Sequence, residues 1–105
     1  MLDKNKKEPF YQVPKVFGNL LEQGKMSLTD IWIYTIMYDT CKITTLRDEQ
    51  GNKYIKISYE TLMKKLNVNS RKTISGSIKN LMNLGLIKIE TTKGKSTKYF
   101  INQFL

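Results

Sequence analysis

The segment "SYETLMKKLNVNSRKTISGSIKNLMNLGLIKIE", Ser58 to Glu90, constrains the fold more than any other part of the chain. It carries two helical periods with only a few residues between them, then a glycine and an immediate alternating run. Ser58 is placed to cap the first helix, Glu60 falls in its first turn, and Leu62, Met63 and Leu66 share one face. "NVNS" breaks the period. The second helix is expected from about Ser70 to Asn83, with Ile74, Ile78 and Leu81 facing inward and Gly85 as a left-handed C-cap. A connection of about three residues fixes the two helices at a steep angle.

On either side the pattern is β-like. "LIKIETTKGKSTKYFIN" reads as two strands with Gly94 at the turn, and "KITTLRDEQGNKYIKIS" as a hairpin, or as a loop into one strand at Tyr54 to Ile57. The second half therefore runs strand, helix, tight turn, helix, strand, basic turn, strand. That order predicts an α+β winged helix-turn-helix with about four helices and a small antiparallel sheet, in which the second helix of the pair enters the major groove of DNA.

The first half supplies the support. Residues 1–9 are charged and are expected to form a flexible arm, leaving residues 10–105 as the domain. "FYQVPKVFGNLLEQGKM" has an apolar rhythm beginning beside Pro14 and stopping at Gly24, which predicts a short helix. "SLTDIWIYTIMYDTC" follows, with Ser27 and Asp30 at the spacing of a capping box. This second helix is apolar nearly all round and must be covered on several sides. It is either the central core helix or a helix whose Ile33 or Met37 meets a second copy of the chain.

Charge and composition narrow the function. Of the 105 residues, the first fifty carry equal numbers of basic and acidic side chains. Residues 51–105 hold eleven Lys and Arg against two acids, Glu60 and Glu90, which accounts for the whole net charge of +9. Such asymmetry is the footprint expected for a phosphate backbone. One cysteine and no histidine exclude an internal disulfide, a plausible zinc site and His-dependent catalysis. "KGKS" lacks the spacing and the strand-to-helix setting of a phosphate loop, and the carboxylates are scattered, so no enzyme and no cofactor are expected. No apolar run is long enough to span a bilayer and the start lacks a signal peptide, which places the protein in the cytoplasm.

Candidate contacts follow from the helical wheel. Lys72, Ser75, Gly76 and Lys79 face away from the apolar side, with Asn80 near them and Arg71 at the flank. Arg71, Lys72, Ser75 and Gly76, in the first turns, are the strongest candidates for base contacts. Arg71 can read a guanine edge in bidentate fashion. Ser70 and Thr73 suit phosphate oxygens. Lys64 and Lys65 either do likewise or are simply solvated. Lys93, Lys95, Ser96 and Lys98 give the hairpin the composition of a wing lying over phosphates, although any hairpin tip is polar. Gly76 in a helix interior costs about 1 kcal/mol relative to Ala. It either lets the backbone approach DNA or admits the preceding helix.

The segments "FYQVPKVFG", "SLTDIWIYTIMYD" and "DEQGNKYIKISYETLMKKLNVNSRKTISGSIKNLMNLGLI" together resemble the N-terminal domain of the RepA-type (RepA_N) plasmid replication initiators of Gram-positive bacteria, over roughly residues 10 to 90. The aromatic-Pro-Lys opening at Phe10 to Lys15 and the order from "GNKYIKIS" to "LMNLGLI" are its most specific parts. The resemblance implies a winged-helix domain that binds repeated double-stranded sites in a plasmid origin as a homodimer. It also implies recruitment of host replication proteins through a separate C-terminal domain. The sequence stops at "INQFL" with no such domain, so recruitment is not expected of this segment. A transcriptional repressor of the same fold, and a winged helix whose basic face docks an acidic protein, are the alternatives.

Overall fold

Three serines start three of the helices. The computed structural model describes residues 11–91, 94 and 97–102. The elements run α1 (Val16–Glu22), α2 (Leu28–Ile43), α3 (Tyr59–Leu66), α4 (Arg71–Asn83), β1 (Ile87–Glu90) and β2 (Lys98–Ile101). At α2 the Ser27 hydroxyl accepts the Asp30 amide and the Asp30 carboxylate accepts the Ser27 amide, both at 3.0 Å, a complete capping box. Ser58 accepts from the Thr61 amide at 3.1 Å and Ser70 from the Thr73 amide at 3.2 Å. Each satisfies a helix donor that has no partner within its own helix.

The helix ends are as specific as the starts. Gly85, at φ 74°, follows α4 in the left-handed region. Its amide donates to Met82 O and that of Leu86 to Leu81 O, both at 3.0 Å, the Schellman pair that turns the chain straight into β1. Leu81 and Leu86 are both buried and close the apolar side of this turn. The winged arrangement thus depends on a residue without a Cβ at position 85.

Helix α2 lies at the centre. Ile33, Tyr34, Ile36, Met37, Tyr38 and Cys41 are all buried in one cluster with Phe17 of α1, Leu62 of α3, Ile74, Ile78 and Leu81 of α4, and Tyr99 of β2. Phe17 meets the Tyr34 ring edge-on, with centroids 4.8 Å apart. The Tyr34 hydroxyl donates to the Asn102 carbonyl, tying the last described residue to the core. Burial pushes the Tyr34 phenol well above its ordinary range, with the nearby Tyr38 and Cys41 adding to the shift.

Ile33 and Met37 are therefore not a surface for a second copy. Both are 0% exposed, because α3, α4 and β2 pack on that side of α2. The side left open carries Leu28, 72% exposed, and Trp32, 40% exposed, with the Tyr11 ring edge-on to the indole at 5.1 Å.

Strands β1 and β2 pair antiparallel, Ile87 opposite Ile101 and Glu90 opposite Lys98. The strand expected at Tyr54 to Ile57 shrinks to one bridge on the other side of β2, where Ile55 and Tyr99 exchange backbone hydrogen bonds of 2.9 and 3.0 Å. It cannot lengthen, since Ser58 already caps α3. Between α2 and this bridge the chain forms a loop. The Asp48 carboxylate accepts the Gln50 and Asn52 amides at 3.0 and 2.8 Å, and Arg47 bridges Lys53. The arm expected over residues 1–9 lies outside the described residues, as do Lys93, Lys95 and Ser96.

Candidate nucleic-acid interface

The turn between α3 and α4 is short because Asn67 takes the left-handed conformation, φ 54° and ψ 46°. Asn tolerates that region better than most residues. The Val68 amide then reaches back to Met63 O at 2.9 Å, and Val68 and Leu66 tuck against the core. Two residues later Ser70 caps α4. The outer face of α4 is thereby held on a buried base made of Ile74, Ser77, Ile78 and Leu81.

Lys72, Thr73, Gly76 and Lys79 are exposed, and Ser75 is half-buried at the edge. Lys72, Gly76 and Lys79 fall one above another at helical spacing, and the exposed Asn83 continues the row. Asn83 is not among the contacts expected from sequence, although the same spacing points to it. A Cβ built on Gly76 meets nothing within 4 Å. No neighbouring helix needs this glycine, which removes close packing from α3 as its explanation. Asn80 belongs elsewhere. Its side-chain amide donates to Asp30 Oδ2 at 2.7 Å and to Lys25 O at 2.9 Å, so it fastens α4 to the start of α2.

The electrostatics at the start of α4 are unusual for a free helix. Its first turn holds no acid. Arg71 and Lys72 sit instead at the positive end of the dipole, where an anion would contribute about 0.3–1 kcal/mol. An approaching phosphate would relieve this. Lys64 and Lys65, by contrast, lie exposed in the last turn of α3, where cations complement the dipole without any ligand.

Arg71 is not a free side chain. Its Nη1 pairs with Glu60 Oε1, and its guanidinium carbon lies 5.1 Å over the Tyr59 ring. The Glu60 carboxyl is held below its usual range, first by its own backbone amide and then by Arg71. Beside this pair opens a groove of about 420 Å³ between the starts of α3 and α4 and the root of β2, lined by Lys56, Ser58, Tyr59, Arg71 and Thr97 among others. Lys56, Ser58, Tyr59 and Thr97 were not among the contacts expected from sequence. They converge only because the Ile55–Tyr99 bridge brings the chain before α3 beside β2.

Lys98 does not project from the wing. It is half-buried at the start of β2 with its ammonium 4.9 Å over the Tyr54 ring. Its charge also helps to hold the Asp48 carboxyl below the ordinary range, an effect led by the Asn52 amide. Gly94, at φ 77°, makes the tip. Among the described residues no cluster of His, Cys, Asp or Glu is placed to hold a metal, and no helix is long and apolar enough to cross a membrane.

Three solved structures are similar over almost the whole chain. One described as the N-terminal domain of a DNA binding protein shares 28% identity at a TM-score of 0.79, covering 97% of this chain and 80% of its own. One described as a Rep-DNA complex shares 28% at 0.76, covering 97% and 81%. One described as an MDR initiator shares 26% at 0.76, covering 100% and 86%. No curated protein matches the chain. The family of the RepA N-terminal winged helix domain matches residues 9–104. With its winged helix-turn-helix and this match across nearly its full length, the chain belongs to the RepA N-terminal winged helix domain family.

Proposed function

We propose that this domain binds double-stranded DNA sequence-specifically at repeated sites of a plasmid replication origin and acts there, in the cytoplasm, as a dimer. The observation that carries the reading is the outer row of α4. Lys72, Gly76 and Lys79 stand exposed, unopposed by any acid in the first turn, on a helix held rigidly from behind. A helix presented in this way fits the major groove, and its glycine leaves room for the backbone to approach base edges or a thymine methyl group. The similar structure described as a Rep-DNA complex supports the reading.

In this arrangement Lys72, Ser75, Gly76 and Lys79 face the bases, with Arg71 beside them. Ser70, Thr73 and Lys56 contact phosphates, and Lys64 and Lys65 add long-range attraction. Lys93, Lys95 and Ser96 of the wing lie over the adjoining backbone. Lys98 contributes only by leaving the Tyr54 ring. Leu28, Trp32, with the Tyr11 ring edge-on to the indole, and Ile43 are exposed apolar side chains on α2 still available to a second copy. Recruitment of host replication proteins belongs to a segment other than this domain.

The test is selection of bound sequences from random duplex, followed by footprinting of the replicon that contains them. An origin initiator protects a repeated array. A single protected promoter site would make the protein a repressor instead. Binding that disappears under excess competitor DNA would remove sequence recognition altogether.

A further inference from the structure

We propose that Glu60 is a specificity-determining positioning residue, whose carboxylate, together with the Tyr59 ring, holds the Arg71 guanidinium in one orientation for reading a single base pair. This rests on the DNA-binding reading above. Arg71 is otherwise a long, exposed side chain whose many rotamers would each find some phosphate. Here one edge is engaged by Glu60 and one face covers Tyr59, while 60% of the side chain stays exposed. A guanidinium has five N–H donors in a fixed fork, so pairing at one nitrogen leaves others directed at a second acceptor. An arginine held in this way meets a guanine edge with less ordering to complete.

The charge of Glu60 supports the same role. It is one of two acids among the last 55 residues, and it pairs with Arg71, which lines the groove together with Lys56. A carboxylate there repels every phosphate backbone alike and weakens binding to duplex of any sequence. Where Arg71 finds its base, the correct orientation offsets that loss. Nonspecific affinity falls and specific affinity is kept, which widens the ratio between them.

Glu60 also lies in the first turn of α3, where any acid complements the helix dipole. Glu60→Asp separates the two roles, since it keeps the charge in that turn but shortens the reach to Arg71 by a methylene. The measurement is the affinity of wild type, Glu60→Ala, Glu60→Asp, Arg71→Ala and the Glu60→Ala/Arg71→Ala double variant. The probes are the duplex that wild type selects, each of its single-base variants, and a random duplex of equal length.

Both Glu60 variants are expected to lose about fivefold of the preference at the base pair that Arg71→Ala identifies, and at no other. The double variant should lose no more than Arg71→Ala, and Glu60→Ala should bind random duplex as tightly as wild type or tighter. Cooperative urea unfolding with the wild-type slope confirms the fold. The proposal is overturned if Glu60→Asp keeps the wild-type preference, if the losses add, if every position weakens evenly, or if Arg71→Ala alters no base preference. Failure of the DNA-binding reading looks different, because wild type itself would then select no duplex.

Discussion

Replacing Gly76 by Ala separates the stability of α4 from its use. The glycine is exposed in the second turn of a 13-residue helix, and an added Cβ meets no atom within 4 Å. The folded protein therefore gains the helix propensity of alanine with no steric cost, about 0.8–1 kcal/mol. For a domain of this size that raises the melting temperature by about 4–8 °C per kcal/mol. Urea unfolding should show a higher midpoint with an unchanged slope. Specific binding should move the other way. A methyl group forced into a closely packed contact costs about 1–3 kcal/mol, a loss of about 5- to 150-fold in affinity for the selected duplex. Binding to random duplex, held mainly through phosphates, should change much less. A lower urea midpoint would show that position 76 has no room for a Cβ after all. A higher midpoint with unchanged specific affinity would show that this face does not meet DNA.

Three further outcomes follow. Asn80→Ala should lower stability by about 1–3 kcal/mol in urea unfolding, because the buried Asp30 carboxylate loses its 2.7 Å donor, while the base preference of the remaining folded protein stays intact. Lys56→Ala should remove about 0.9 from the slope of log affinity against log salt, as expected for one phosphate contact, read from titrations between low and moderate salt. Tyr34 contributes to the alkaline limit. Its phenol titrates higher folded than the unfolded value of about 10, so its contribution is complete below that pH and is lost as pH rises through the folded value. Stability measured from pH 9 upward should fall, and Tyr34→Phe should flatten that fall while lowering stability at neutral pH through loss of the bond to Asn102.

Much of this fold is legible in local chemistry. Ser27, Ser58 and Ser70 announce helix starts because capping is decided within three residues, and Gly85 announces an end for the same reason. The buried side of α4 follows from the spacing of Ile74, Ile78 and Leu81. What sequence spacing does not reveal is which partner a polar side chain takes across the fold. Asn80 stands on the wheel near the exposed lysines, yet its partner Asp30 is 50 residues away. Arg71 reads as free until α3 and α4 cross and bring Glu60 to it. Ile33 and Met37 could equally serve a core or an interface, and only the packing of α3, α4 and β2 around α2 decides for the core. Lys98 is drawn inward by the face of Tyr54, a residue 44 positions earlier in the chain that no local pattern links to it.

The Lys72–Gly76–Lys79 face of α4 is expected to enter the major groove. Methylation interference on the selected duplex tests it directly, because guanine N7 lies in the major groove and adenine N3 in the minor groove. N7 methylation at guanines within each half-site is expected to abolish binding, and adenine N3 methylation to act only at the flanks where the wing lies. Interference confined to adenine N3, with N7 methylation tolerated throughout, would contradict it.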